Sequence, residues 1–133
     1  MTPSQLVKAR AEAFDNNDFG FIYDTFHPDS NFRLQFPDRN EYLVYGQSTL
    51  NSDYRIEVCR VLNEEVATQC ARVLFYLKVH YQGNCEEYFE LSEFKPIKQC
   101  WRYLSSHKMS CSEFTGSIDE ITMEHVEHSG ICF

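Results

Sequence analysis

The stretch from Cys85 to Tyr103, CEEYFELSEFKPIKQCWRY, holds the polar side chains of this sequence best placed for chemistry. Read as a strand, its first half puts Tyr88, Glu90, Ser92 and Phe94 on one face and Glu87, Phe89, Leu91 and Glu93 on the other, because strand side chains alternate. If the first set faces a cavity, Glu90 and Ser92 are polar groups in apolar surroundings. Burial drives a carboxyl towards the range in which it exchanges protons near neutral pH. His27, just ahead of a proline that ends a helix, is a candidate partner. The chemistry would be that of an isomerase or dehydratase, with Glu90 or His27 as general base. The structural alternative is that Glu90 bonds a helix donor such as Arg10, Ser92 satisfies backbone and His27 caps its helix, since buried polar groups are usually paired.

The same stretch is rich in aromatic residues. Tyr88, Phe94, Trp101 and Tyr103, with Phe75, Tyr76, Arg10 and Phe26, can wall a pocket for a small apolar or aromatic ligand. Equally, eleven Phe and eight Tyr can simply fill a small core. Further on, His107 with Cys111 and His128 with Cys132 share one spacing, and His125 precedes His128 by about a helical turn, so soft ligands for zinc are present without a diagnostic motif. Unpaired His and Cys in a tail are the commoner outcome, and no metal is expected. There is no nucleophile elbow and no Gly-rich phosphate loop, and no cofactor is expected either.

Elements must position these groups, and composition bounds what the elements can build. A chain of 133 residues, 43% hydrophobic, suffices for one domain with one core. Its formal charge of −8 repels phosphate backbones and anionic membranes, which argues against nucleic acid as a partner. No apolar run is long enough to span a bilayer, and MTPSQLVKAR lacks the pattern of a secretory signal, so a cytoplasmic protein without a membrane partner is expected. The six cysteines stand at least eleven residues apart, which suits free thiols better than a disulfide framework.

Thr2-Pro3-Ser4-Gln5 combines a cap, a proline at the first helical position and a Gln three residues after the cap. A helix follows, with Leu6, Val7, Ala9, Ala13 and Phe14 on its buried face, ending at Asn16-Asn17. Asp18 caps a second helix carrying Phe19, Ile22, Tyr23 and Phe26, stopped before Pro28. A short helix around Phe32 and another capped by Asp38 and broken by Gly46 complete the helical part. From Tyr54 the period changes to two, predicting an antiparallel meander of strands at 54–62, 67–81, 85–95 and 98–105, with turns at Asn63-Glu64-Glu65, Gln82-Gly83-Asn84 and Lys95-Pro96. Helices followed by strands indicate an α+β domain with the helices on one face of a bent sheet, burying Leu6, Phe14, Ile22, Phe26, Phe75, Leu77 and Trp101. Ser117 with Glu120 suggests a tail helix closed by Gly130.

Two segments carry a family resemblance. LVKARAEAFDNNDFGFIYDTFHPDS, with Arg10, Ala13-Phe14 and Thr25-Phe26-His27-Pro28, resembles the opening of the middle domain of YchJ-type SEC-C-motif bacterial proteins. ELSEF and WRY are similar to that domain's Glu-x-Ser-x-Phe and Trp-x-Tyr strands. The resemblance implies the cone-shaped fold of the nuclear transport factor 2-like (SnoaL-like) superfamily, in which helices and a strongly bent antiparallel sheet enclose a pocket. It implies a domain over 1–107 with an extension over 108–133, and a homodimer. The superfamily hosts enzymes, binding modules and scaffolds, so the fold selects no activity. The cysteine clusters that bind zinc in the YchJ-type proteins are absent, and no metal or translocase-associated role carries over. The expectation is a non-catalytic small-molecule-binding or protein-interaction domain, with the isomerase or dehydratase as the alternative.

Overall fold

Thr2 caps helix α1 (Pro3–Asp15) in a full capping box: its hydroxyl accepts from the Gln5 amide, and the Gln5 side chain accepts from the Thr2 amide. The computed structural model describes residues 1–51 and 53–133. Helices α2 (Phe19–Asp24), α3 (Asn31–Gln35) and α4 (Arg39–Tyr45) follow, each begun by a side-chain cap from Asp18, Ser30 and Asp38. Between α1 and α2, Asn17 takes a left-handed conformation with φ of 57°, which Asn tolerates better than most residues. Gly46 does not end the helical part. The chain runs on through a π-helical turn (Gly46–Leu50), Gly46 itself having right-handed helical angles, and a Cβ there would lie 2.5 Å from the Phe19 ring. The glycine is there for close packing, not as a breaker.

Strands β1 (Tyr54–Val66), β2 (Ala71–Tyr81), β3 (Asn84–Ile97) and β4 (Cys100–Ser110) form the meander, and a short β5 (Ile131–Cys132) adds to β4, giving an antiparallel sheet in the order β1-β2-β3-β4-β5. β1 and β3 outrun their expected bounds, β4 is shifted to later residues, and β2 begins at Ala71, later than expected. Asn63, Glu64 and Glu65 are paired in β1 and are not a turn: β1 is an edge strand, so their side chains reach water, and Glu64 accepts from both the Ser4 amide and hydroxyl. The turn comes later, closed by the Ala67 amide donating to the Cys70 carbonyl.

The β3–β4 turn lies at Lys98-Gln99, not Lys95-Pro96. Both residues have positive φ, 50° and 67°, the geometry of a two-residue hairpin turn that matches strand twist. Pro96 sits inside β3 opposite Trp101, where its missing N–H costs nothing because pairing with β2 stops at Phe94. Register shifts in β1 and at Glu93/Phe94 bend the sheet.

Alternation divides the sheet residues between two faces. Val73, Phe75, Leu77, Val79 and Phe94 pack against Leu6 and Val7 of α1 on the inner face. Leu74, Tyr76, Phe89, Leu91 and Met109 point the other way and pack against Ile121, Met123 and Val126. The last three belong to the segment after β4, whose helix α5 (Met123–Ser129) is capped by Thr122 with His125 in a capping box; Ser117 instead starts a 3-10 turn (Ile118–Glu120). Leu6, Ile22, Phe75 and Leu77 are buried as expected. Phe14, Phe26 and Trp101 are only half-buried, the first two because they border a cavity.

Candidate ligand-binding site

The link between α2 and α3 ties the helices to the sheet. Tyr103 N–H donates to the Thr25 carbonyl at 2.8 Å and His27 N–H to the Tyr103 carbonyl at 2.7 Å, so residues 25–27 lie parallel beside β4 where β5 does not reach. Thr25-Phe26-His27-Pro28 is therefore a docking device. The Thr25 hydroxyl, itself anchored on the Phe21 and Ile22 carbonyls, accepts from Arg10 Nη1 at 2.5 Å, and the same nitrogen donates to the Ile22 carbonyl at 3.1 Å. Arg10 is only 8% exposed. Its guanidinium carbon lies 4.3 Å from the centre of the Phe26 ring and 4.6 Å from that of Tyr103, in cation–π contact with both.

Between α1 and the inner face is a cavity of about 150 Å³. Val7, Phe14, Ile56, Phe75 and Leu77 make its apolar wall, and Arg10, Tyr54, Cys59, Tyr88, Glu90, Tyr103 and Lys108 bring polar atoms to it. Glu90 is 5% exposed, and its Oε2 accepts from Ser92 Oγ at 2.5 Å and from the Tyr103 hydroxyl at 2.8 Å. Oε1 lies 3.8 Å from Lys108 Nζ, too far for a direct hydrogen bond. Ser106 pairs with Ser92 across the strands, and its buried Oγ has no hydrogen-bond partner among the described residues.

Burial dominates the electrostatics. It pulls the Arg10 pKa down, against the charges of Tyr103 and Glu90, which raise it. It pushes the Tyr103 and Tyr88 phenols well above the ordinary tyrosine value, with Glu90's charge adding to the effect at both, and it lifts the Cys59 thiol to about 11.

The cavity brings together six of the residues proposed from the sequence, Glu90, Tyr88, Tyr103, Arg10, Phe26 and Phe75, while Ser92 donates to Glu90 and Tyr76 packs on the outer face. Arg10 does not donate to Glu90, since Thr25 and Ile22 hold it. His27 is outside the lining, and its Nδ1 accepts from the Asp29 amide at 3.0 Å. Phe94 lies fully buried in the core beneath, and Trp101 packs half-buried at the core's margin. Of the soft ligands in the tail, His107 and Cys132 face each other across β4 and β5. Cys111 packs on the outer face, His128 is solvent-exposed beside Glu124, and His125 Nδ1 is used by the Thr122 amide. Among the described residues no group of three or more His, Cys, Asp or Glu is placed to hold a metal.

Lys108 was missed because its place depends on register. A turn at residues 95–96 would set Glu90 opposite Trp101. The true turn, with the register shift at Glu93/Phe94, sets Glu90 opposite Lys108.

The model of the YchJ middle NTF2-like domain matches residues 2–106. The chain belongs to this family. The match ends within β4, so α5 and β5 lie beyond it. The domain is also similar to the solution structure of a SEC-C motif containing protein from Rhodopseudomonas palustris, with a TM-score of 0.61 and 20% identity over 78% of this chain and 76% of that one. At that identity the likeness speaks for the fold alone. Comparison with curated proteins gives no match. Among the described residues no helix is long and apolar enough to cross a membrane.

Proposed function

We propose that this YchJ-like domain is a non-catalytic binding module whose small-molecule ligand occupies the cavity between α1 and the inner sheet face. The observation that carries the reading is an apolar space into which a buried arginine and a buried carboxylate both open. Ligand pockets are built this way, with mostly apolar walls and a few convergent polar groups that fix orientation. At about 150 Å³ the space suits one ring with a short substituent.

An isomerase- or dehydratase-type enzyme is the second reading, favoured by Glu90, which lines the cavity and whose Oε1 has no hydrogen-bond donor among the described residues. His27 does not serve as base in it, because its Nδ1 is taken and it stands outside the cavity. The test is a fragment screen by ligand-observed and ¹⁵N-correlated NMR on the wild-type chain and on Ala11→Phe, which fills the cavity from α1. Shifts at Val7, Phe75, Leu77 and Tyr88 that vanish in Ala11→Phe support the module. Absence of any shift at the lining residues sinks it, and turnover of a bound fragment lost in Glu90→Gln selects the enzyme instead.

A further inference from the structure

Arg10 is the residue whose environment is least explained by structure alone. Only its Nη1 donates to protein; Nε and Nη2 have no acceptor among the described residues, and no carboxylate there lies within ion-pairing distance of the guanidinium. An arginine has five N–H donors, and a buried cation without an anion in contact is unfavourable. The side chain nonetheless lines the cavity. Phe26 and Tyr103 hold the guanidinium by cation–π contact with ring centres 5.1 Å apart and planes nearly perpendicular, so both rings lie to one side of it and Nε and Nη2 remain for further hydrogen bonds.

The charges bordering the cavity add to this. Arg10 and Lys108 are two cations and Glu90 is one carboxylate, so the site is short of one negative charge. Glu90 cannot supply it twice. Its Oε2 is already held by Ser92 and Tyr103, and Lys108 stands off Oε1 by 3.8 Å. The rest of the lining is largely apolar, with Phe14, Ile56, Phe75 and Leu77 contributing to it.

We infer that the ligand is a small organic monoanion, a carboxylate on a compact aromatic or branched aliphatic body, whose oxygens accept from the free edge of Arg10 while its body fills the apolar wall. This deepens the binding-module reading and rests on it. A planar guanidinium edge matches a carboxylate in a two-point bond that a lysine cannot reproduce. An amine on Glu90 Oε1 is the competing occupant, and it would add to the positive charge already in excess.

The experiment is a charge series of one shape on the wild-type chain: benzoate, benzamide and benzylamine, with affinities from NMR titration. Benzoate is expected to bind at least about tenfold more tightly than either, the factor typical of a charge-assisted bond against a neutral one. Arg10→Lys, which keeps the charge and loses the fork, is expected to weaken benzoate about tenfold and benzamide by a clearly smaller factor. Lys108→Gln, distant from the helix packing, should weaken benzoate by a smaller factor. Equal affinities across the series, or benzylamine tightest, overturn the inference and leave the module reading standing. Failure of all three probes in a wild-type chain that binds other fragments also overturns the inference alone, whereas failure of every fragment overturns both. If Arg10→Lys proves unfolded by circular dichroism, the wild-type series decides by itself.

Discussion

Tyr103 donates its phenolic hydrogen to Glu90 Oε2 at 2.8 Å from the neighbouring strand, and the same ring carries the Arg10 guanidinium on its face. One side chain thus joins the carboxylate on the sheet to the cation on α1. Tyr103→Phe keeps the ring and removes the donor, leaving a buried carboxylate oxygen with Ser92 alone. The expected loss is about 1 to 3 kcal/mol in urea unfolding. A double-mutant cycle with Glu90→Gln should show non-additivity; strictly additive losses would mean that the bond contributes nothing.

Alkaline pH should unfold the domain in a defined window. Tyr103 and Tyr88 have folded pKa values raised by burial, so their contribution is present in full below the ordinary tyrosine value, about 10, and is lost as pH rises beyond it. Cys59, raised to about 11, acts with the same sign and begins slightly earlier. Absorbance of the eight tyrosines at alkaline pH should therefore split into a reversible class and a class that ionises only with loss of circular dichroism. A single reversible transition of all eight near pH 10 contradicts this.

The free cysteines should label in two groups. Cys70, Cys85, Cys100 and Cys132 are exposed, whereas burial raises both Cys59 and Cys111 to about 11 and starves them of thiolate at neutral pH. Mass spectrometry after brief alkylation of the native protein should find four adducts per chain, and six after denaturation. Early modification of Cys59 would show that the inner face is open to solvent.

Removing residues 112–133 should cost stability and promote self-association. Ile121, Met123 and Val126 cover Leu74, Tyr76, Phe89, Leu91 and Met109, and each buried side chain contributes about 1.5 to 3 kcal/mol. The outer sheet face then becomes an exposed apolar patch. Calorimetry should show Tm lowered by roughly 4 °C per kcal/mol lost, and sedimentation a concentration-dependent species. Val126→Asp, a charge at a fully buried position, should reproduce much of the Tm loss. An unchanged melt in both variants would refute the packing of this segment.

Gly46→Ala sets two effects against each other. Helix propensity favours alanine by about 1 kcal/mol, while a methyl 2.5 Å from the Phe19 ring overpacks the site at a cost of about 1 to 3 kcal/mol. Phe19 is fully buried, has little room to move, and the clash should prevail, lowering Tm. A rise in Tm would show that Phe19 yields.

The amino-acid sequence by itself determined what neighbours a few residues apart can fix. Thr2 with Gln5, Asp18 and Asp38 start their helices because a cap needs only its own first turn, and the period of two from Tyr54 puts Glu90 on one face with Tyr88 and Ser92. Tertiary structure decided the rest. The β3–β4 register turns on Lys98 and Gln99 adopting positive φ without the Gly, Asn or Asp that would signal it, so Lys108 opposite Glu90 was not legible. Thr122 displaces Ser117 as the cap of α5 because docking of Ile121, Met123 and Val126 on the outer face sets where that helix begins. Arg10 turns to Thr25 and away from Glu90 for the same reason: the partner of a long side chain is chosen by which elements pack together, and that choice is made between residues far apart along the chain.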